Sequence, residues 1–176
     1  MGQDTAVVPL WPKALSQRCR RIIFLDFDGV LHPLGSLADA RPPLTPLAIR
    51  TRWPQALAHL GILASMLEGH AEVAVVVTSS WRMFLTDEQL GQPLAPIAPW
   101  YGGLVGLPYQ GRATAIKAWL TRAHMDDYLI LDDQPDYFPG GIDAWPTLIL
   151  CDSNLGIADE QVQQRLRRWI SQGKLS

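Results

Sequence analysis

The apolar runs of this chain stop on oxygen-bearing side chains. Arg21-Ile22-Ile23-Phe24-Leu25 gives way at once to Asp26-Phe27-Asp28-Gly29. The run from Ala71 to Val77 meets Thr78-Ser79-Ser80-Trp81-Arg82, and the run from Tyr128 to Leu131 meets Asp132-Asp133. Short runs of this kind read as buried strands, apolar on both faces. Leu104-Val105 and the run from Thr147 to Leu150 complete a set of five. The spacing of apolar residues predicts helices over 53–67, 112–122 and 159–171. In the first of these, Pro54 suits the opening turn, and Leu57, Leu60, Ala64 and Leu67 share one face. Strands alternating with helices imply a mostly parallel sheet covered on both sides. Ligands of such sheets sit beyond the carboxyl ends of the strands. The polar tips are therefore expected to converge on one crevice.

The chain has 176 residues, enough for one ordinary domain. Residues 1–20, with Pro9 and Pro12, read as a lead-in, and 21–176 as a single domain. The stretch 31–46 holds Pro33, Gly35, Pro42, Pro43 and Pro46 and reads as a loop. A 48% apolar, 18% charged composition supports a real core. The net charge of −2 gives no electrostatic support for a nucleic-acid or anionic-membrane partner. Basic clusters at Arg18, Arg20 and Arg21 and at Arg165, Arg167 and Arg168 read as solvated faces. Cys19 and Cys151 make neither a disulfide framework nor a zinc site, so a reducing, cytoplasmic setting is expected. No apolar run approaches the roughly 20 residues of a membrane span, and the first residues lack a signal-peptide pattern. Of the seven tryptophans, Trp53, Trp119, Trp145 and Trp169 are expected in the core.

The acidic tips carry the chemistry. Asp26 and Asp28 stand two apart, and Asp132 and Asp133 are expected beside them. Carboxylates this crowded repel one another unless a cation lies between them. Oxygen-only ligands suit Mg²⁺, and the lack of histidine and cysteine at these tips argues against zinc. A carboxylate beside a metal-bound phosphate can attack phosphorus to give an aspartyl-phosphate. A second carboxylate can protonate the leaving oxygen and then activate water. Thr78 or Ser79 can hold phosphate oxygens. A cation is also needed against developing charge. Arg112 at a helix start, Lys117 and Arg82 are the candidates, in that order. His32 and Trp81 stand near enough in sequence to the tips to touch substrate or to line the mouth.

Phe24-Leu25-Asp26-Phe27-Asp28-Gly29-Val30 resembles motif I of the haloacid dehalogenase superfamily in its phosphatase form. Thr78 resembles motif II, Arg112 or Lys117 motif III, and Leu131-Asp132-Asp133 the double-Asp version of motif IV. With Ser79-Ser80-Trp81-Arg82 and the helix Ala115-Ile116-Lys117-Ala118-Trp119-Leu120, the chain is similar to the haloacid dehalogenase domains of Swiss Army Knife RNA repair proteins. The likeness covers about 21–170. It implies a Rossmann-like sheet of order 5-4-1-2-3 with helices on both faces. It implies Asp26 as nucleophile and Mg²⁺ ligand. Asp28 would be the general acid/base, its backbone carbonyl also facing the metal. Thr78 and Ser79 would bind phosphate, with Arg112 or Lys117 as the motif III cation, and Asp132 and Asp133 would hold Mg²⁺. The insertion points after motifs I and II have no room for a large cap domain, so an open site is expected. Such a site admits a small phosphorylated molecule, a nucleotide, a polynucleotide end or a phosphoprotein.

Two other classes compete with a phosphatase. A non-catalytic phosphate-binding or protein-interaction module could keep the crevice without turnover, although binding alone has no need of Asp28. A phospho-accepting signalling domain uses a similar acidic pocket but lacks a counterpart of Asp28.

Overall fold

The computed structural model describes residues 19–37 and 45–172. Most of the lead-in (1–18) and part of the Pro-rich stretch (38–44) thus lie outside the described residues. The strands are β1 (Arg21–Leu25), β2 (Val73–Val77), β3 (Tyr101–Leu104), β4 (Tyr128–Asp132) and β5 (Leu148–Leu150). They form one sheet in the order β3-β2-β1-β4-β5, with every pairing parallel. This is the sheet order expected, read from the other edge.

The helices are α1 (Pro46–Arg52), α2 (Leu60–Leu67), α3 (Asp87–Gly91), α4 (Arg112–Ala123), α5 (Gly141–Ala144) and α6 (Glu160–Gln172). Successive strand residues face opposite sides, and the two sides build separate cores. Ile23, Leu25, Val75, Val77, Leu129 and Leu131 pack with Leu63 and Leu67 of α2 and Leu166, Trp169 and Ile170 of α6. Ile22, Phe24, Ala74, Val76 and Ile130 pack with Ala115, Ile116 and Trp119 of α4 and with Phe138 and Trp145. All five residues of β1 and of β2 are buried, which explains the apolar runs 22–25 and 73–77. The connections after β1 and β2 carry only short helices, and among the described residues neither builds a cap with a core of its own.

Several expected elements are corrected. The helix predicted over 53–67 begins only at Leu60. Residues 54–59 form turns, and Leu57 takes a left-handed φ of 58°. Trp53 is accordingly only partly buried, whereas Trp119, Trp145 and Trp169 are in the core. Within the expected loop, Thr45 caps α1 by accepting a hydrogen bond from the Ala48 N–H, and Pro46 fills the first position of that helix. The third strand lies at Tyr101–Leu104 rather than at Leu104-Val105. Arg21, expected on a solvated face, is buried.

Candidate active site

Register brings the tips together. Leu25 of β1 pairs with Leu131 of β4 and with Val77 of β2. The next residue of each strand, Asp26, Asp132 and Thr78, therefore leaves the sheet side by side. The Asp26 N–H bonds the Leu131 carbonyl at 3.0 Å and the Thr78 N–H bonds the Leu25 carbonyl at 2.9 Å. The chain builds β1, β2 and β3 outward on one side and then crosses back to β4. The tips of β1 and β4 thus flank the point where the winding reverses, the usual crevice of such sheets.

Asp26, Asp132 and Asp133 are buried, and one carboxylate oxygen from each lies within 4.8 Å of the others. Arg112, the first residue of α4, donates from Nη1 to Asp26 Oδ2 at 2.6 Å and also to Asp132 Oδ2. The Tyr137 ring lies 4.4 Å from its guanidinium carbon. Asp132 accepts the Gln134 N–H at 2.9 Å. Asp133 Oδ2 accepts from Gln134 Nε2 at 3.0 Å and from Ser153 Oγ at 2.8 Å. Among the described residues, Asp26 Oδ1 and Thr78 Oγ1 are buried without a hydrogen-bond partner. Buried polar atoms are nearly always satisfied, so two orphans on neighbouring strand tips fit a site that binds a ligand.

The charges conflict in the same place. Burial pushes the Asp26 carboxyl upward, against the pull of Arg112. Burial and the Asp26 charge raise Asp132 to about 7 despite Arg112. Burial alone would lower the Arg112 value, but Asp26 and Asp132 together hold it above that of a free guanidinium. Among the described residues Arg112 is the one cation ion-paired within this trio of buried carboxylates, which leaves negative charge uncompensated. A divalent ion bound through oxygen would complete the balance, and the residues fit it.

Gly29 lets the loop close over this trio. Its φ is 72°, and a Cβ there would lie 2.2 Å from Asp133 Oδ2 and 2.8 Å from Asp133 Cβ.

The other expected residues divide. Asp28 stands at the mouth but its carboxylate is not one of the three gathered oxygens. It accepts from His32 Nε2 at 3.1 Å and from Trp81 Nε1 at 3.0 Å. Ser79 Oγ caps a short 3-10 turn (Ser80–Met83), accepting from the Trp81 N–H at 3.4 Å. Arg82 is spent on backbone, donating from Nη1 to the Thr78 carbonyl and from Nη2 to the Gln110 carbonyl at 2.7 Å. It ties the β2 tip to the loop before α4. Lys117 is exposed, with Nζ 4.9 Å from the centre of the Trp145 ring. It stands five residues beyond Arg112, about 7.5 Å further along the helix axis. Gln134 and Ser153 were not legible as site residues. Ser153 follows β5 by three positions, so its place after a strand end was the one available signal.

No described helix is long and apolar enough to cross a membrane. No curated protein and no solved structure matches the chain. A family model described as the HAD domain in Swiss Army Knife RNA repair proteins matches residues 22–162. The matched stretch takes in all five strands and the acidic trio. It belongs to a superfamily made up generally of hydrolases of the phosphatase type. The chain is a member of the haloacid dehalogenase domain family of Swiss Army Knife RNA repair proteins.

Proposed function

We propose that the protein is a Mg²⁺-dependent phosphatase that hydrolyses a phosphate monoester through an aspartyl-phosphate on Asp26. The observation that carries this reading is the unpartnered Oδ1 of Asp26, buried beside Asp132 and Asp133 at the crevice. Asp26, Asp132 and Asp133, with the backbone carbonyl of Asp28, would hold the ion. When bound, Mg²⁺ supplies positive charge to the phosphoryl oxygens and relieves the repulsion among the carboxylates.

Asp26 attacks phosphorus while Asp28 gives a proton to the leaving oxygen. Asp28 then takes a proton from the water that cleaves the phospho-aspartate, which restores both residues. Thr78, through its unpartnered hydroxyl, and Ser79 bind phosphoryl oxygens. Arg112 balances charge on the transferring group from the rim that it shares with Asp26 and Asp132. The orphaned hydroxyl supports Thr78 in this role. The lack of a cap among the described residues favours a bulky substrate, and the family's RNA-repair setting favours a nucleic-acid end. We place the reaction in the cytoplasm, in keeping with two free thiols.

Asp26→Asn is expected to abolish Mg²⁺-supported release of inorganic phosphate from an aryl phosphate. Asp28→Asn is expected to slow it by about 10²-fold or more. Full activity in Asp26→Asn would remove the nucleophile. A panel of sugar phosphates, nucleotides, 5′- and 3′-phosphorylated oligonucleotides and phosphopeptides identifies the substrate. A phospho-aspartate that persists for minutes would instead indicate a signalling receiver.

A further inference from the structure

Asp28 is held more tightly than a mobile proton carrier needs to be. His32 is fully buried, and its two ring nitrogens are both engaged. The Leu57 N–H lies 3.2 Å from Nδ1, and an N–H can only donate. Nδ1 is therefore the acceptor, and in the neutral ring the proton sits on Nε2, facing Asp28 Oδ1 at 3.1 Å. Trp81 donates its indole N–H to the other oxygen, Oδ2, at 3.0 Å. Rotation of the carboxylate would break both bonds.

The two donors are themselves fixed. The Trp81 ring meets Phe27 edge-on at 5.2 Å and lies 5.9 Å from the His32 ring. The segment behind His32 is tied to the same loop, because the His59 N–H bonds the Leu31 carbonyl at 2.8 Å. Leu57, which supplies the N–H to His32, has a φ of 58°. A left-handed leucine is strained and persists only where its surroundings impose it. Here the strained residue aims a donor that sets the tautomer of a histidine one bond from Asp28.

We propose that His32 and Trp81 are positioning residues that aim the Asp28 carboxyl at the leaving-group oxygen. The proposal rests on the phosphatase reading above. In the step concerned, a bond forms between an Asp26 oxygen and phosphorus as the bond from phosphorus to the leaving oxygen breaks. The Asp28 proton goes to that oxygen, which departs as an alcohol. The clamp matters in proportion to the need for that proton. An alkyl alcohol cannot leave as an anion, whereas 4-nitrophenolate leaves without help.

The test compares kcat/KM, which covers the steps up to departure of the leaving group, for an alkyl phosphate and for 4-nitrophenyl phosphate with Mg²⁺. Trp81→Phe keeps an aromatic ring beside Phe27 while deleting the N–H donor and part of the indole volume. It is expected to lower the alkyl value by about 10-fold or more, within the 10²–10⁴ range of general acid catalysis. The nitrophenyl value should change by less than about 3-fold. His32→Leu should show the same selective loss, and His32→Gln, which keeps a donor near the Nε2 position, should recover most of it. Thermal midpoints measured alongside separate misfolding from misaiming. Equal losses on both substrates, or no loss on either, would overturn the clamp while leaving the phosphatase intact. If the wild type hydrolyses neither substrate, or if Asp26→Asn hydrolyses both, the phosphatase reading itself fails and the clamp falls with it.

Discussion

At the amino end of β1, Arg21 donates from Nη1 to the Trp169 carbonyl at 2.6 Å. Its Nη2 reaches the Ile170 carbonyl at 2.7 Å and Glu72 Oε1 at 2.6 Å. Its guanidinium also lies over the Trp169 ring, 5.2 Å from the centroid. At the carboxyl end of the same strand, Arg112 is shared between Asp26 and Asp132. Both arginines are buried. The difference lies in what surrounds them. The acceptors of Arg21 include two carbonyls from the last turn of α6, which has no basic residue of its own there. Arg21 therefore satisfies a helix end from a neighbouring strand. Around Arg112, acceptors outnumber the cation, and one carboxylate oxygen has no hydrogen-bond partner among the described residues. A closed network contributes stability, whereas an open one is held in readiness for a ligand.

Exchange at the two ends should separate those roles. Arg112→Ala should produce the largest effect, a fall of about 10²–10³ in kcat/KM, as expected for a group that balances transition-state charge. Arg21→Met, which keeps the stem and deletes the donors, should leave kcat of the folded protein unchanged. A matching loss of kcat in Arg21→Met would erase the distinction. The second effect is on stability. Arg21→Met should lower the free energy of unfolding by about 2–4 kcal/mol in a urea titration, because the buried Trp169 and Ile170 carbonyls lose a charged donor. A loss below about 0.5 kcal/mol would show the amino-end network to be ornamental.

The smallest effect concerns pH, and its sign differs between the ends. Asp132 titrates at about 7 in the folded protein, above its unfolded value. Its contribution to stability is present below the unfolded pKa and is lost as pH rises toward 7. Glu72 moves the other way. Burial opposes the shift, but hydrogen bonds from its own backbone, Arg21 and His70 lower its pKa. Its contribution is present above the ordinary glutamate range and is lost only in acid. Thermal midpoints without divalent ions should therefore decline between about pH 5 and 7.5, and Mg²⁺ should flatten that decline by occupying the acidic end. Midpoints that rise over this interval without divalent ions would contradict the assignment of strain to the carboxyl end.

The parallel sheet was legible because its signal is local: β1 and β2 are wholly buried, and apart from Arg21 they are apolar. The acidic tips were legible for a related reason, since a strand that ends on Asp26 or Asp132 must present it at the sheet's carboxyl edge. Helix starts were not. Leu57 keeps helical spacing with Leu60, Ala64 and Leu67, yet its backbone is left-handed because it serves His32 rather than a helix. The role of Arg21 was hidden because its partners come from 51 to 149 residues away. The Trp81–Asp28 bond spans 53 positions, and no spacing rule encodes such a pair. Lys117 shows the converse. It shares a helix and a charge with Arg112, but the turn of that helix carries it to Trp145.

Gly29 carries a further consequence. A methyl at this position would press on Asp133 Cβ as well as on Oδ2, so a rotamer change could not relieve the contact. The loop rides on that aspartate with the clearance of a single hydrogen, as a shim sets the gap between two machined parts. Any bulkier residue would force either the loop that carries Asp26 and Asp28 or Asp133 itself to shift. The spacing of the acidic trio is thus gauged by a residue that has no reactive group.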